Sequence, residues 1–99
     1  MTHFNGLTPA EAERLAMLIE ECGEVIQAAT KVLRHGWDSH HPDNPHADNR
    51  NMLHVEIMDL QGVIGAMGSL GELPRVIGTP QGAWTRKLRW THHQEGSNE

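Results

Sequence analysis

The sequence predicts an all-α domain, and three observations carry that prediction. Apolar residues step by threes and fours from Leu15 to Leu33 and again from Leu53 to Met67. A hydroxyl cap followed by proline, the signature of a helix start, occurs at Thr8-Pro9 and again at Thr79-Pro80. No stretch alternates apolar and polar residues with the period of a strand. At 99 residues the chain is one domain.

Each element follows from its residues. In Thr8-Pro9-Ala10-Glu11, Thr8 caps, Pro9 suits the first turn and Glu11 completes a capping box. The apolar set Leu15, Leu18, Ile19, Cys22, Val25, Ile26, Ala29, Val32 and Leu33 then extends a helix over 9–34, and Gly36 stops it. Residues 36–48 hold Pro42, Pro45 and Asn44 among aspartates and histidines and read as a long loop, a length that often signals function. A second helix is predicted over 49–68, capped by Asp48 or Asn49, with Leu53, Ile57, Leu60, Ile64 and Met67 as its apolar positions. Gly62 and Gly65 each cost it about 1 kcal/mol relative to Ala, tolerable where another helix packs close. Residues 69–78 read as a turn with at most one helical turn, 80–93 as a last helix carrying Trp84 and Leu88, and 95–99 as a disordered tail, so that the domain is 1–94. The architecture is a bundle of three to four helices. A chain this short buries only about 60–65% of its unfolded surface, so oligomerisation is expected to complete the bundle.

Composition excludes several classes. The lone Cys22 forbids an intrachain disulfide, fits a reducing compartment and reads as a core residue. No run nears the roughly 18 apolar residues of a membrane span, and Met1-Thr2-His3-Phe4 has no signal-peptide pattern. With mean hydropathy of −0.52, a cytoplasmic protein with no membrane partner is expected. Residues 1–72 carry eleven acids against Arg14, Lys31, Arg34 and Arg50, whereas 73–94 carry Arg75, Arg86, Lys87 and Arg89 and no acid. An acidic protein lacks the broad basic face that a nucleic-acid polymer demands.

The chemistry-bearing residues are acidic. On a helical wheel with Glu20 at 0°, Glu24 falls at about 40° and Glu21 at about 100°, beside an apolar stripe at about 120–260°. Glu21 and Glu24 stand three apart and face one way, and Glu56 and Asp59 repeat the spacing on the second helix, with Asp59 in an apolar stretch. A solvated acidic face is the ordinary explanation of such a cluster. Four carboxylates converging from two packed helices would instead repel one another until a hard cation neutralised them, and an all-oxygen donor set suits Mg²⁺ or Mn²⁺ better than zinc. Facing helices with paired acids are a known frame for such a site. Lys31 lies in line with the acids. It is a candidate phosphate contact, as are Arg34, which also suits the helix dipole, and Arg50. Trp37 is a candidate to stack on a base. His35, His40, His41 and His46 make the loop His-rich, with His41 and His46 a candidate transition-metal pair. Arg86, Lys87 and Arg89 could hold a phosphate across a subunit boundary, although a solvated face is the plainer reading.

Glu20-Glu21-Cys22-Gly23-Glu24 resembles the EExxE motif of the MazG-like all-α nucleoside triphosphate pyrophosphohydrolases, and Glu56-Ile57-Met58-Asp59 resembles their ExxD motif. The run from Leu18 to Ala28, the run Lys31-Val32-Leu33-Arg34-His35-Gly36 and Asn49-Arg50 are similar to small phage-type and bacterial members, so the resemblance covers about residues 8–65. Thirty-one residues separate Glu24 from Glu56, more than in the shorter members, and the loop 36–48 accounts for the excess. The resemblance implies hydrolysis of a nucleoside triphosphate to the monophosphate and diphosphate, with two or three Mg²⁺ ions per site, Mn²⁺ as a substitute, and a homodimer or homotetramer. It implies Glu21, Glu24, Glu56 and Asp59 as metal ligands, Glu20 as a further ligand or a guide for the attacking water, and Lys31, Arg34, His35, Trp37 and Arg50 on the substrate side. Some phage relatives prefer dGTP, which makes a purine deoxynucleotide a candidate substrate and the host cytoplasm the compartment. Three alternatives stand beside this: phosphoribosyl-ATP as substrate, a non-catalytic helical interaction protein, and a di-iron bundle, against which the absence of ExxH pairs argues.

Overall fold

The capping box forms. Glu11 donates its N–H to Thr8 Oγ1 at 3.1 Å and accepts the Thr8 N–H on its own carboxylate at 2.9 Å. The Thr8 N–H, and then the Thr8 side chain, hold the Glu11 carboxyl below its usual range. The helix they start, α1, runs Pro9–His35. The computed structural model describes residues 4–74 and 79–97, among which the other elements are α2 (Asn49–Ser69), α3 (Pro80–Lys87) and a 3-10 turn (Leu88–Trp90). No strand occurs among the described residues, so the all-α class holds. Residues 75–78 of the expected turn and the last two residues of the expected tail lie outside them.

Gly36 ends α1 with φ 88°, a left-handed conformation that costs an L side chain strain, and donates its N–H to Val32 O at 2.8 Å. The loop then folds back over the start of α2. Asp48 is the cap, accepting the Asn51 N–H at 2.8 Å. The Arg50 and Asn49 N–H groups, which a helix start leaves without helical partners, go to Trp37 O (2.8 Å) and Ser39 O (3.0 Å). The Asn49 side-chain amide donates to Gly36 O at 3.1 Å and to Lys31 O at 3.4 Å, tying the end of α1 to the start of α2.

α1 and α2 are antiparallel, and Glu21 meets Asp59, Glu24 shares a cleft with Glu56 and Lys31 meets Asn49, pairs whose numbers each total 80. At the far end of the hairpin, Gly71 (φ 76°) donates its N–H to Gly68 O, and Glu72 donates to Met67 O at 2.9 Å, a Schellman turn. That turn sends Glu72 back onto α1. Its carboxylate accepts from the Arg14 guanidinium through both oxygens, Nε to Oε1 at 2.8 Å and to Oε2 at 3.0 Å and Nη2 to Oε2 at 2.7 Å, in a part-buried setting. The pair raises the Arg14 pKa above its ordinary value, chiefly through that hydrogen bonding.

The face of α1 turned to α2 differs from the expected one. Leu18, Glu21, Val25, Ala28 and Val32 are shielded, centred near 120° on the wheel, while Leu15, Ile19, Cys22, Ile26 and Leu33 stay exposed on a stripe about 100° away. The predicted stripe is too wide for a single partner helix and splits. Cys22 is therefore exposed rather than part of a core. On α2 the shielded positions are Asn49, Leu53, Glu56, Leu60, Val63 and Met67, and the expected Ile57 and Ile64 are exposed. Only Ala28, Val63 and Met67 are buried among the described residues. At Gly62 and Gly65, tolerable where another helix packs close, an added Cβ would meet no atom of the described residues within 4 Å.

The last helix is shorter than predicted. Thr91 turns extended (φ −108°, ψ 161°), and its N–H and hydroxyl both go to Leu88 O, at 3.1 and 2.8 Å. Such local hydroxyl bonding competes with helix continuation. Neither α3 nor the turn after it touches α1 or α2 among the described residues. The radius of gyration is 17.4 Å, against about 13 Å for a compact chain of this length.

Replacing Gly71 by Ala is expected to lower stability by about 1 kcal/mol, because an L residue is strained at that φ. Urea denaturation of the two proteins checks this, and an unshifted midpoint would show that the turn does not need the left-handed residue.

Candidate functional site

The antiparallel register places acids against acids. One carboxylate oxygen from each of Glu21, Glu56 and Asp59 lies within 4.8 Å of the others. Glu21 and Glu56 occupy the shielded stripes of their helices, and Asp59 is exposed at the edge. Although Asp59 lies in an apolar stretch of the sequence, Glu56, in phase with Leu53, Leu60 and Val63, takes the inward position. The Glu21 carboxyl is pushed above its usual range, first by loss of water around it, then by the charges of Asp59, Glu20, Glu56 and Glu24.

The acids stand between two clefts of about 350 Å³ each. One is lined by Arg14, Met17, Glu21, Met58 and Asp59. The other runs toward the loop, with Glu24 and Glu56 at one end and Lys31, His35, His40 and His41 at the other. Glu24 lies outside the group of three but acts on Glu21 through its charge, as does the exposed Glu20.

The substrate-side candidates divide. Lys31 and His35 line the loop cleft, because Glu24, Gln27, Lys31 and His35 recur at threes and fours along α1. Arg34 and Trp37 line neither cleft. Arg50 packs its guanidinium 4.8 Å from the Trp37 ring centroid and 3.6 Å from an Asp38 carboxylate oxygen, so these two candidates engage each other. His46 does not join His41 in the cleft, and its carbonyl accepts a bond from the Asn51 amide. Arg86, Lys87 and Arg89 line a separate cleft with Trp90, and Arg89 lies 5.1 Å from that ring. Residues that the sequence reading did not place here are Gln27, Ser39, Asn49 and Met52. Gln27, spaced between Glu24 and Lys31, and Asn49 and Met52, seven and four residues before Glu56 on α2, carried a legible signal; Ser39 depends on how the loop folds.

Three carboxylate oxygens at this separation fit a hard cation. Ligand oxygens about 2.1 Å from Mg²⁺ lie about 3–4 Å from one another, which side-chain rotation reaches from 4.8 Å. The donor set holds neither thiolate nor imidazole, the softer ligands that zinc and copper select.

Compared with family models, curated proteins and solved structures, the chain gave no match.

Because the folded pKa of Glu21 is raised, the native state keeps its proton to higher pH than the unfolded chain does. The stability this lends is present below the ordinary carboxylate range and is lost as pH rises through the raised value. Glu21→Gln is therefore expected to melt higher than the wild type at about pH 7 in the absence of divalent ions, with the difference closing toward about pH 4. Thermal melts across that range check it. A variant that melts lower than the wild type at neutral pH would show that the acids are not in conflict.

Proposed function

We propose that this protein is a metal-dependent nucleoside triphosphate pyrophosphohydrolase of the MazG-like kind, converting a ribo- or deoxynucleoside triphosphate and water to the monophosphate and diphosphate. The observation that carries the reading is the meeting of Glu21, Glu56 and Asp59 across two helices, with Glu56 also lining, beside Glu24, a cleft that carries Lys31 further along α1. The EExxE and ExxD patterns support it from the sequence. Glu21, Glu56 and Asp59 would hold Mg²⁺, with Mn²⁺ as a substitute, and the bound ion supplies charge neutralisation and water activation. Glu24, beside Glu56 in the cleft, is the carboxylate free to take a second ion or to accept a hydrogen bond from the attacking water. Lys31 lies two turns further on, about 10 Å along the helix axis. That leaves room for a triphosphate between acidic and basic ends. In-line attack on phosphorus needs positioning and charge stabilisation and no protein nucleophile.

The proposed unit is a homodimer or homotetramer. The support is the unpartnered stripe on α1, where Ile19, Ile26 and Leu33 are 72, 66 and 88% exposed. Light scattering behind size exclusion is expected to give a multiple of 11.1 kDa. Ile26→Glu is expected to shift that mass toward the monomer, whereas a monomeric wild type would remove the oligomer from the reading.

The activity test is a panel of ribo- and deoxynucleoside triphosphates, dGTP among them, together with phosphoribosyl-ATP, incubated with Mg²⁺ and resolved by product. Monophosphate and diphosphate are expected. Glu56→Gln is expected to lower turnover by about 100-fold or more with its helical circular dichroism kept. Saturating Mg²⁺ is expected to stabilise the wild type by about 2–3 kcal/mol at roughly 100 times its Kd. Absence of both turnover and Mg²⁺ stabilisation would favour an interaction protein whose acids are surface charge.

A further inference from the structure

The loop 36–48 is the part of the chain that its motifs leave unexplained, and it supplies one end of the cleft that holds Glu24, Glu56 and Lys31. His40 and His41 both line that cleft, opposite Glu24 and Glu56 and beside Lys31 and His35. Their hydrogen bonds assign their protons. The backbone N–H of Asp43 points at His41 Nδ1, 3.1 Å away, so Nδ1 accepts and the neutral ring carries its proton on Nε2, as a donor. The Asp43 carboxylate lies 3.6 Å from the same nitrogen, too far for a hydrogen bond. His40 Nδ1 stands 2.8 Å from the His41 carbonyl oxygen, which can only accept; His40 therefore donates through Nδ1, and its ring ties down the main chain of His41.

We propose that His41 binds the outer phosphates of a nucleoside polyphosphate through Nε2–H, together with Lys31, and that His40 is a positioning residue that holds His41 at the cleft. This rests on the reading of Glu21, Glu56 and Asp59 as a metal site for a triphosphate. The charges are arranged for such a ligand: its metal-bound part lies at the acidic end, and its remaining anionic oxygens meet the donors that the loop and the end of α1 present. The loop thereby serves substrate binding and contributes no metal ligand.

Inorganic diphosphate with Mg²⁺ is the probe, titrated calorimetrically into the full chain. His41→Ala is expected to weaken binding about tenfold, the usual effect of losing one hydrogen bond to a charged group. His41→Gln, which restores a side-chain N–H, is expected to recover most of it. His40→Ala is expected to raise KM for the nucleotide severalfold with kcat unchanged. The melting shift produced by Mg²⁺ alone should be the same in all three variants and the wild type, which also shows that they fold. Wild-type-like diphosphate binding by His41→Ala, with the Mg²⁺ response intact, would overturn the assignment of the loop while leaving the hydrolase reading standing. No Mg²⁺ response in the wild type would overturn both.

Discussion

The structure turns on two carboxylates set where a helical hairpin should be apolar. Leu18, Val25 and Val32 on α1 and Leu53, Leu60 and Val63 on α2 make an ordinary interhelical seam, but Glu21 and Glu56 interrupt it at its middle. Loss of water around Glu21, and then the charges of the neighbouring acids, raise the cost of ionising it, and its displaced pKa is the expression of that cost. A two-helix seam has little stability to spare, with three residues buried among those described.

The rest of the hairpin holds that seam in register. At one end the Asn49 amide bridges the carbonyls of Lys31 and Gly36. At the other the Gly71 turn brings Glu72 onto Arg14 in a bidentate pair. Both devices work at helix ends, where backbone groups lack helical partners and a side chain can take their place. Sliding α2 by one turn would break both and would separate Glu21 from Asp59. The geometry of the acids is therefore maintained from outside the acid cluster, by neutral or oppositely charged contacts that do not compete for a cation.

Hydrophobic burial is left incomplete by this arrangement. The α1 stripe of Leu15, Ile19, Cys22, Ile26 and Leu33 faces away from α2, and α3 makes no contact with the hairpin among the described residues. Trp84 and Trp90 are likewise exposed, at 51 and 72%. Apolar area on this scale is unusual on an isolated chain, and a second copy is the partner the proposed assembly supplies. The open loop cleft and the acid cluster lie on the helix–helix side, so association through the outer stripe would leave them accessible.

Local sequence determined the elements of this protein. Thr8 with Glu11, Asp48, and Thr79 with Pro80 are caps whose partners lie three residues away, so the helix starts were legible without a fold. The spacing of Glu21 with Glu24 and of Glu56 with Asp59 was legible for the same reason: a helix converts sequence separation directly into angle. Only tertiary structure decided which part of a broad apolar stripe would meet α2, that Glu56 rather than Asp59 would turn inward, and that Cys22 would be exposed. Those outcomes depend on the rotation of one helix against the other, a single angle set by packing, by the Asn49 bridge and by the Arg14–Glu72 pair. The loop histidines stayed ambiguous for a related reason. Their roles follow from hydrogen bonds within an irregular segment, where no period relates position in the chain to direction in space.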